Sequence, residues 1–343
     1  MRIQAIDSLR GIAALAVLFH HYVFLYSVKF ELDTNFFKTE DINLSLGRYG
    51  VELFFIISGF VISISIERSK DIPSFLISRF SRLYPTFIFC LLLTSISLIL
   101  LSSTNDISIQ QFIGNATMIP LFFWIKPIDG SYWTLMYELF FYLWIAIFFS
   151  WSKEIKIRPL VVIYSCYVIL TLMQLFIELP QKLQYLLLYP HLQQFLSGII
   201  LYKIWSLNNS RATRPLYILL FLFYASHLIM SLSNSGRLNL ISALMIGFYL
   251  AIFILLLQNR LKILENKYLI KLGVLSYSLY LIHQQIGYLT ISFLREHYFP
   301  TSIAILITSL FVIALAFIIN KYIEVPSNRF VKNHLNSLRK ISK

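Results

Sequence analysis

The feature that most constrains this chain is a series of apolar stretches, each close to the length a helix needs to cross a bilayer. Ten such runs can be drawn, at 10–27, 51–66, 83–101, 132–150, 159–178, 184–203, 215–232, 238–257, 269–292 and 302–322. Hydrophobic residues make up 58% of the 343, charged residues only 13%, and mean hydropathy is +0.72. So few charges cannot cover a water-facing surface of this size. The expectation is an all-α polytopic membrane protein, a single bundle of about ten transmembrane helices. The segment 107–125 is moderately apolar but interrupted by Gly114, Asn115 and Pro120, which predicts a re-entrant or surface piece. The N-terminus resembles a signal peptide, with Arg2 and Arg10 ahead of Gly11–Phe19. His20, His21 and the bulky residues after them offer no small-residue cleavage site, so it reads as an uncleaved first span.

Lysine and arginine set the expected orientation. With the N-terminus inside, inner segments hold 22 of the 29 and outer segments 7. That bias predicts cytosolic termini on both ends. The formal charge of +13 is then a topology signal plus attraction to anionic lipid headgroups. No alternation of basic and aromatic residues points to nucleic acid. Cys90 and Cys166 both lie in apolar runs and give neither metal spacing nor a disulfide framework. No internal repeat is evident, which weakens a transporter reading. Residues 1–330 are expected to form one membrane domain and 331–343 a basic cytosolic tail.

Polar residues inside the apolar runs are the candidates for chemistry, because ionisable groups there are costly. Eleven residues separate Arg10 from His21, three helical turns plus about 20°, so both lie on nearly one face roughly 16 Å apart. His20 lies about 80° off that line, leaving His21 as the better partner. A histidine bonded to a neighbouring helix and nothing more would look the same in isolation. Glu52 opens the second run near the expected outer interface, and Ser58 with Gly59 lies within it, where small residues let helices approach. Arg79 and Arg82 are three apart and share a helical face. Paired guanidiniums suit phosphate oxygens, though a positive-inside anchor has the same pattern. Glu138 has no Lys or Arg within a turn, so its partner must come from another helix, or it is protonated or lines water. Ser276, Tyr280, His283 and Gly287 form one polar and small stripe that faces a bundle interior. Finally, Val325 before Pro326 predicts that the last span ends at Glu324.

Taken in order, D-x-L-R-G-x(9)-H-H, G-V-x-L-F-F-x-x-S-G-F, R-x-x-R-L-Y-P, W-T-L-x-x-E, L-S-Y-S-L-Y-L-x-H and a final E-x-P resemble the membrane acyltransferase-3 family, bacterial O-acyltransferases of surface polysaccharides. The resemblance covers roughly residues 6–330. It implies transfer of an acetyl group from cytosolic acetyl-CoA to a hydroxyl of a cell-surface glycan or its lipid-linked precursor, at the cytoplasmic (inner) membrane and without a metal. By the same resemblance Arg10, His21 and Glu138 are the catalytic candidates. Arg10, Arg79, Arg82, Ser58, Tyr277 and His283 are the candidates for holding acetyl-CoA. Partners would be that donor, the glycan acceptor, membrane lipid and glycan-assembly proteins. Some members carry a soluble hydrolase-like domain after the bundle; the sequence ends without one, so a second, extracytoplasmic transfer step would need a partner protein or does not occur. A glycan or lipid-linked-sugar transporter, and an O-succinyltransferase of the same family, are the alternative readings. Acceptor choice is expected to lie in the outer loops 28–49 and 102–131.

Overall fold

The structure is a computed structural model, described for residues 3–30, 45–101, 107–151, 156–173, 177–207, 211–233 and 237–341. Among these, every regular element is helical. In chain order they are α1 (Gln4–Lys29), α2 (Gly50–Glu67), α3 (Ile72–Leu101), α4 (Ile109–Ala116), α5 (Trp133–Trp151), α6 (Ile157–Met173), α7 (Gln181–Leu186), α8 (Leu192–Ser206), α9 (Arg214–Ser233), α10 (Arg237–Leu257), α11 (Lys267–Glu296), α12 (Thr301–Ile319) and α13 (Val325–Ile341). The loop positions 31–44 and 102–106, part of the expected acceptor-selecting loops, lie outside the described residues.

Among the described residues, seven helical stretches are long and apolar enough to cross a membrane: Gln4–Lys29, Leu46–Glu67, Ile72–Leu101, Gly130–Ser150, Arg211–Ile229, Leu240–Leu257 and Thr301–Arg339. The other three expected spans are helical but depart from that standard for physical reasons. Helix α6 has 17 residues, and the sixth span is broken into α7 and α8 by a turn. Helix α11 has 30 residues, but its serines, tyrosines, glutamines and histidine make it too polar. The segment after α3 holds only the eight-residue α4, about 12 Å long and too short to cross.

The chain divides into two compact units. The first comprises Met1–Ile6, Val51–Phe75 and Tyr137–Asn266, the second Asp7–Gly50, Leu76–Met136 and Lys267–Lys343. In the first, α8 is the central element, with Gln193–Tyr202 buried throughout. Helix α2 crosses it at Gly59 and Gly198, where a Cβ on either residue would collide with the other helix's backbone. Glu67 at the end of α2 meets Lys203 at 3.1 Å and Tyr202 Oη at 2.5 Å.

In the second unit, α12 turns Ala304, Thr308, Val312 and Ala316 inward, a stripe of modest side chains at four-residue spacing. Ile303, Leu306, Leu310 and Phe317 stay exposed on its other side. An apolar exterior over a small-residue seam is how helices pack in lipid. Contrary to the expectation from Pro326, the helical path continues past Glu324. A π turn over Asn320–Glu324 intervenes, in which the Val325 N–H reaches the Asn320 carbonyl. This wider turn relieves the clash a proline ring makes with the preceding turn of an α-helix.

Candidate active site

The site grows out of the seam between α1 and α11 in the second unit. A Cβ on Gly273 would lie on the Asp7 carbonyl, and one on Gly11 would come within 2.8 Å of Leu269 O and 2.9 Å of Gly273 N. Glycine is therefore required at this crossing, because backbone occupies the space a side chain would need. From there the helices run parallel. Ten residues on, about 15 Å along each axis, His21 meets His283. One turn later Tyr22 lies over Gly287, and then Tyr26 Oη lies 3.0 Å from Ser292 Oγ.

His21 Nδ1 lies 2.6 Å from His283 Nε2, the two rings near-parallel with centroids 4.8 Å apart. His283 Nδ1 is 2.8 Å from the Tyr280 carbonyl. A carbonyl can only accept, so His283 Nδ1 carries a proton. In a neutral His283 the lone pair is then on Nε2, and His21 Nδ1–H donates to it. The lone pair of a neutral His21 is left on Nε2, which has no hydrogen-bond partner among the described residues. Half-buried His21 thus presents a proton acceptor in a fixed direction. His20 is buried instead and stacks on Phe24 at 5.4 Å. Both histidines fall on a π turn, His20–Leu25, closed by the Tyr26 N–H on the His21 carbonyl. Such turns insert an extra residue and re-aim side chains, often at functional sites.

Helix α11 gathers several of the expected residues. Tyr277 Oη donates to the Leu83 carbonyl at 2.9 Å, tying this helix to the Arg82-Leu83 stretch of α3. Ser278 Oγ donates to Glu324 Oε2 at 2.6 Å, and Asn320 Nδ2 to the same oxygen at 2.9 Å. Arg10, Arg79 and Arg82 belong to the same unit and are half-buried. Arg82 has neither hydrogen bond nor ion pair among the described residues. In the first unit, Ser58 Oγ lies 3.5 Å from Glu138 Oε1, and Tyr142 Oη donates to the same oxygen. Glu138 therefore lies beside a hydroxyl of another helix and accepts from one a turn along its own. Among the described residues, no group of three or more His, Cys, Asp or Glu is arranged to hold a metal ion.

Asp129-Gly-Ser131, just before the W-T-L-x-x-E motif, carries no sequence signal of a role in the site. Asp129 is fully buried; its Oδ1 accepts from Ser131 N at 2.8 Å and Ser131 Oγ at 2.6 Å, its Oδ2 from Gln285 N at 3.0 Å. Tyr132 Oη donates to Leu281 O at 3.2 Å, and Thr134 Oγ1 donates to Tyr280 Oη at 2.9 Å. Tyr22 Oη donates to His283 O at 2.6 Å. The backbone around His283 is thus held from two sides. An acid before Gly-Ser reads locally as a turn former, and nothing in its neighbours signals that it faces a helix 150 residues away.

A helical membrane-type chain with this ordered set of motifs belongs to the acyltransferase-3 family: the family profile, described as an acyltransferase domain, matches residues 3–321. The chain is an acyltransferase. Among its relatives, a protein of Acidianus two-tailed virus named as an inferred acetyltransferase is 28% identical over 289 residues, covering 81% of each chain. A Staphylococcus aureus (strain COL) protein named as an inferred O-acetyltransferase is 25% identical over 367 residues, covering 94% of this chain and 57% of its own length. This chain therefore spans little more than half of that staphylococcal relative. No solved structure matches it.

Proposed function

We propose that the chain is an integral-membrane O-acetyltransferase that moves an acetyl group from cytosolic acetyl-CoA to a hydroxyl of a surface glycan or its lipid-linked precursor. The observation that carries this reading is the His21–His283 pair, which leaves the lone pair on His21 Nε2 without a partner among the described residues. In the reaction, that nitrogen takes the proton from the acceptor hydroxyl as its oxygen attacks the thioester carbonyl. The C–S bond breaks, and the proton passes to the departing CoA thiolate. General-base help of this kind is typically worth about 10²–10⁴-fold. Direct attack and a transient acyl-histidine use the same two histidines. The names of the relatives support acetyl as the transferred group.

The topology that serves this chemistry has ten spans and cytosolic termini, in the inner membrane, with residues 1–330 as the transferase domain. Arg10, Arg79 and Arg82 then lie toward the cytosolic side, where the phosphates of CoA arrive. Half-buried Arg82, without a carboxylate partner among the described residues, fits that role. A charge-assisted hydrogen bond is worth about 1.5–3 kcal/mol. Arg82→Ala is accordingly expected to raise the KM for acetyl-CoA roughly 10- to 100-fold with kcat little changed. Unchanged KM in Arg79→Ala and Arg82→Ala would make both residues topology anchors. Glu138, beside Ser58 and accepting from Tyr142 within the first unit, is a further candidate acid, and Glu138→Gln is expected to lower kcat.

Purified protein in proteoliposomes, given acetyl-CoA labelled in its acetyl group, tests the whole reading. Label is expected in the glycan fraction, with stoichiometric release of free CoA thiol. Binding or passage of glycan with no consumption of label would contradict it.

A further inference from the structure

The Asp129 segment is built around the turn of α11 that carries His283, bonding to it at Tyr280, Leu281 and Gln285. In an unperturbed α-helix the Gln285 N–H and Leu281 carbonyl bond to each other; here each also engages the segment, through Asp129 and Tyr132. Ser131 Oγ has one proton and lies 2.6 Å from Asp129 Oδ1 against 3.2 Å from Tyr280 O, so the carboxylate takes it. All three groups on Asp129 are donors, the pattern of an ionised carboxylate that only accepts. The segment is itself fixed from behind. Buried Asn115 donates to Lys126 O at 3.1 Å and accepts from Ile128 N at 2.9 Å, which sets the backbone immediately before Asp129. Burying a carboxylate is expensive, and a turn of α11 could be held by neutral groups. Burial pushes the Asp129 carboxyl up, while His283 and the donors on Ser131 and Gln285 pull it back down.

Resting on the acyltransferase reading above, we infer that Asp129 is the positioning residue of the His21–His283 pair: it holds the Tyr280–Gln285 turn so that His283 Nδ1 stays on the Tyr280 carbonyl and Nε2 faces His21, and its negative charge offsets the positive charge that arises when His21 takes the hydroxyl proton. The proton balance is that of the transfer itself. The acceptor O–H bond breaks and an N–H forms at His21 Nε2. The O–C bond to the acyl group forms as the C–S bond of the thioester breaks, and the proton leaves with the thiol. Asp129 itself exchanges no proton.

Protein labelled with ¹⁵N-histidine in lipid nanodiscs tests this without relying on turnover, because imidazole nitrogen shifts report which ring nitrogen bears the proton. In the wild type, His283 and His21 are expected each as a single form protonated at Nδ1. In Asp129→Ala, His283 is expected to become a mixture of tautomers while the His191 and His227 signals of the other unit stay put. The same variant is expected to lose roughly 10- to 100-fold in kcat at unchanged KM for acetyl-CoA, and Asp129→Glu, which keeps the charge, to recover part of it. Ser131→Ala keeps the carboxylate and removes one donor, so it should move the His283 signals in the same direction by less. Unchanged tautomers in Ser131→Ala together with unchanged tautomers, or a misfolded protein, for Asp129→Ala would overturn the inference. If the variants show these tautomer changes but the wild type consumes no acetyl-CoA, the positioning role stands and the acyltransferase reading is removed instead.

Discussion

Replacing His21 by alanine is expected to abolish acetyl transfer while the protein still accumulates in the membrane. The variant removes the one ring nitrogen of this pair left with an unpartnered lone pair among the described residues, and with it the proposed general base, a loss of about 10²–10⁴-fold. His20→Ala should be milder, because His20 is buried against Phe24 and its ring lies beside, not within, the His21–His283 bond. The check is release of CoA thiol by equal amounts of purified wild type, His21→Ala and His20→Ala. Full activity of His21→Ala would end the mechanism; equal losses in the two variants would mean that the π turn as a whole matters and not the His21 nitrogen.

The second large effect is expected from Gly273→Leu. At this position the first side-chain carbon would already sit on the Asp7 backbone, which cannot rotate away as a side chain can. Overpacking of an interior typically costs 1–3 kcal/mol, and a clash with backbone belongs at the upper end or beyond. The helices must part, and because α1 and α11 run parallel from this crossing, the separation carries to His21 and His283. Thermal midpoint in detergent and acetyl transfer should fall together. Gly287→Ala, which meets the Tyr22 ring, should cost less stability, since a side chain can shift. Unaltered melting and activity in Gly273→Leu would show that the seam is not where the glycines place it.

Much of this was legible because membrane helices announce themselves one at a time. Each of the ten apolar runs contains helix, including 269–292, where α11 buries Ser276, Tyr277, Ser278 and His283. Two local departures could not be read. The π turns at His20–Leu25 and Asn320–Glu324 depend on how the helix meets its neighbours, and no residue type specifies them. The second one carried the chain helically past Val325-Pro326, where proline alone predicts an end. Non-local pairing was the larger gap. His21 was placed on a stripe with Arg10, and His283 on a stripe of its own, but residues 262 positions apart cannot be joined from periodicity. Ser58 and Glu138 were each conspicuous as polar groups in apolar runs, and the fold brings them together. Asp129 was silent because its signature is that of any turn, and only its burial against α11 sets it apart.

Whether His21 and His283 act as one proton-accepting unit is decided by a double-mutant cycle on kcat. Residues that work as a unit give non-additive losses. His283→Ala is expected to lower kcat severely, and the His21→Ala/His283→Ala double variant to be no slower than His21→Ala alone. A double variant slower by the product of the two single losses would contradict it, because each histidine would then contribute independently of the other.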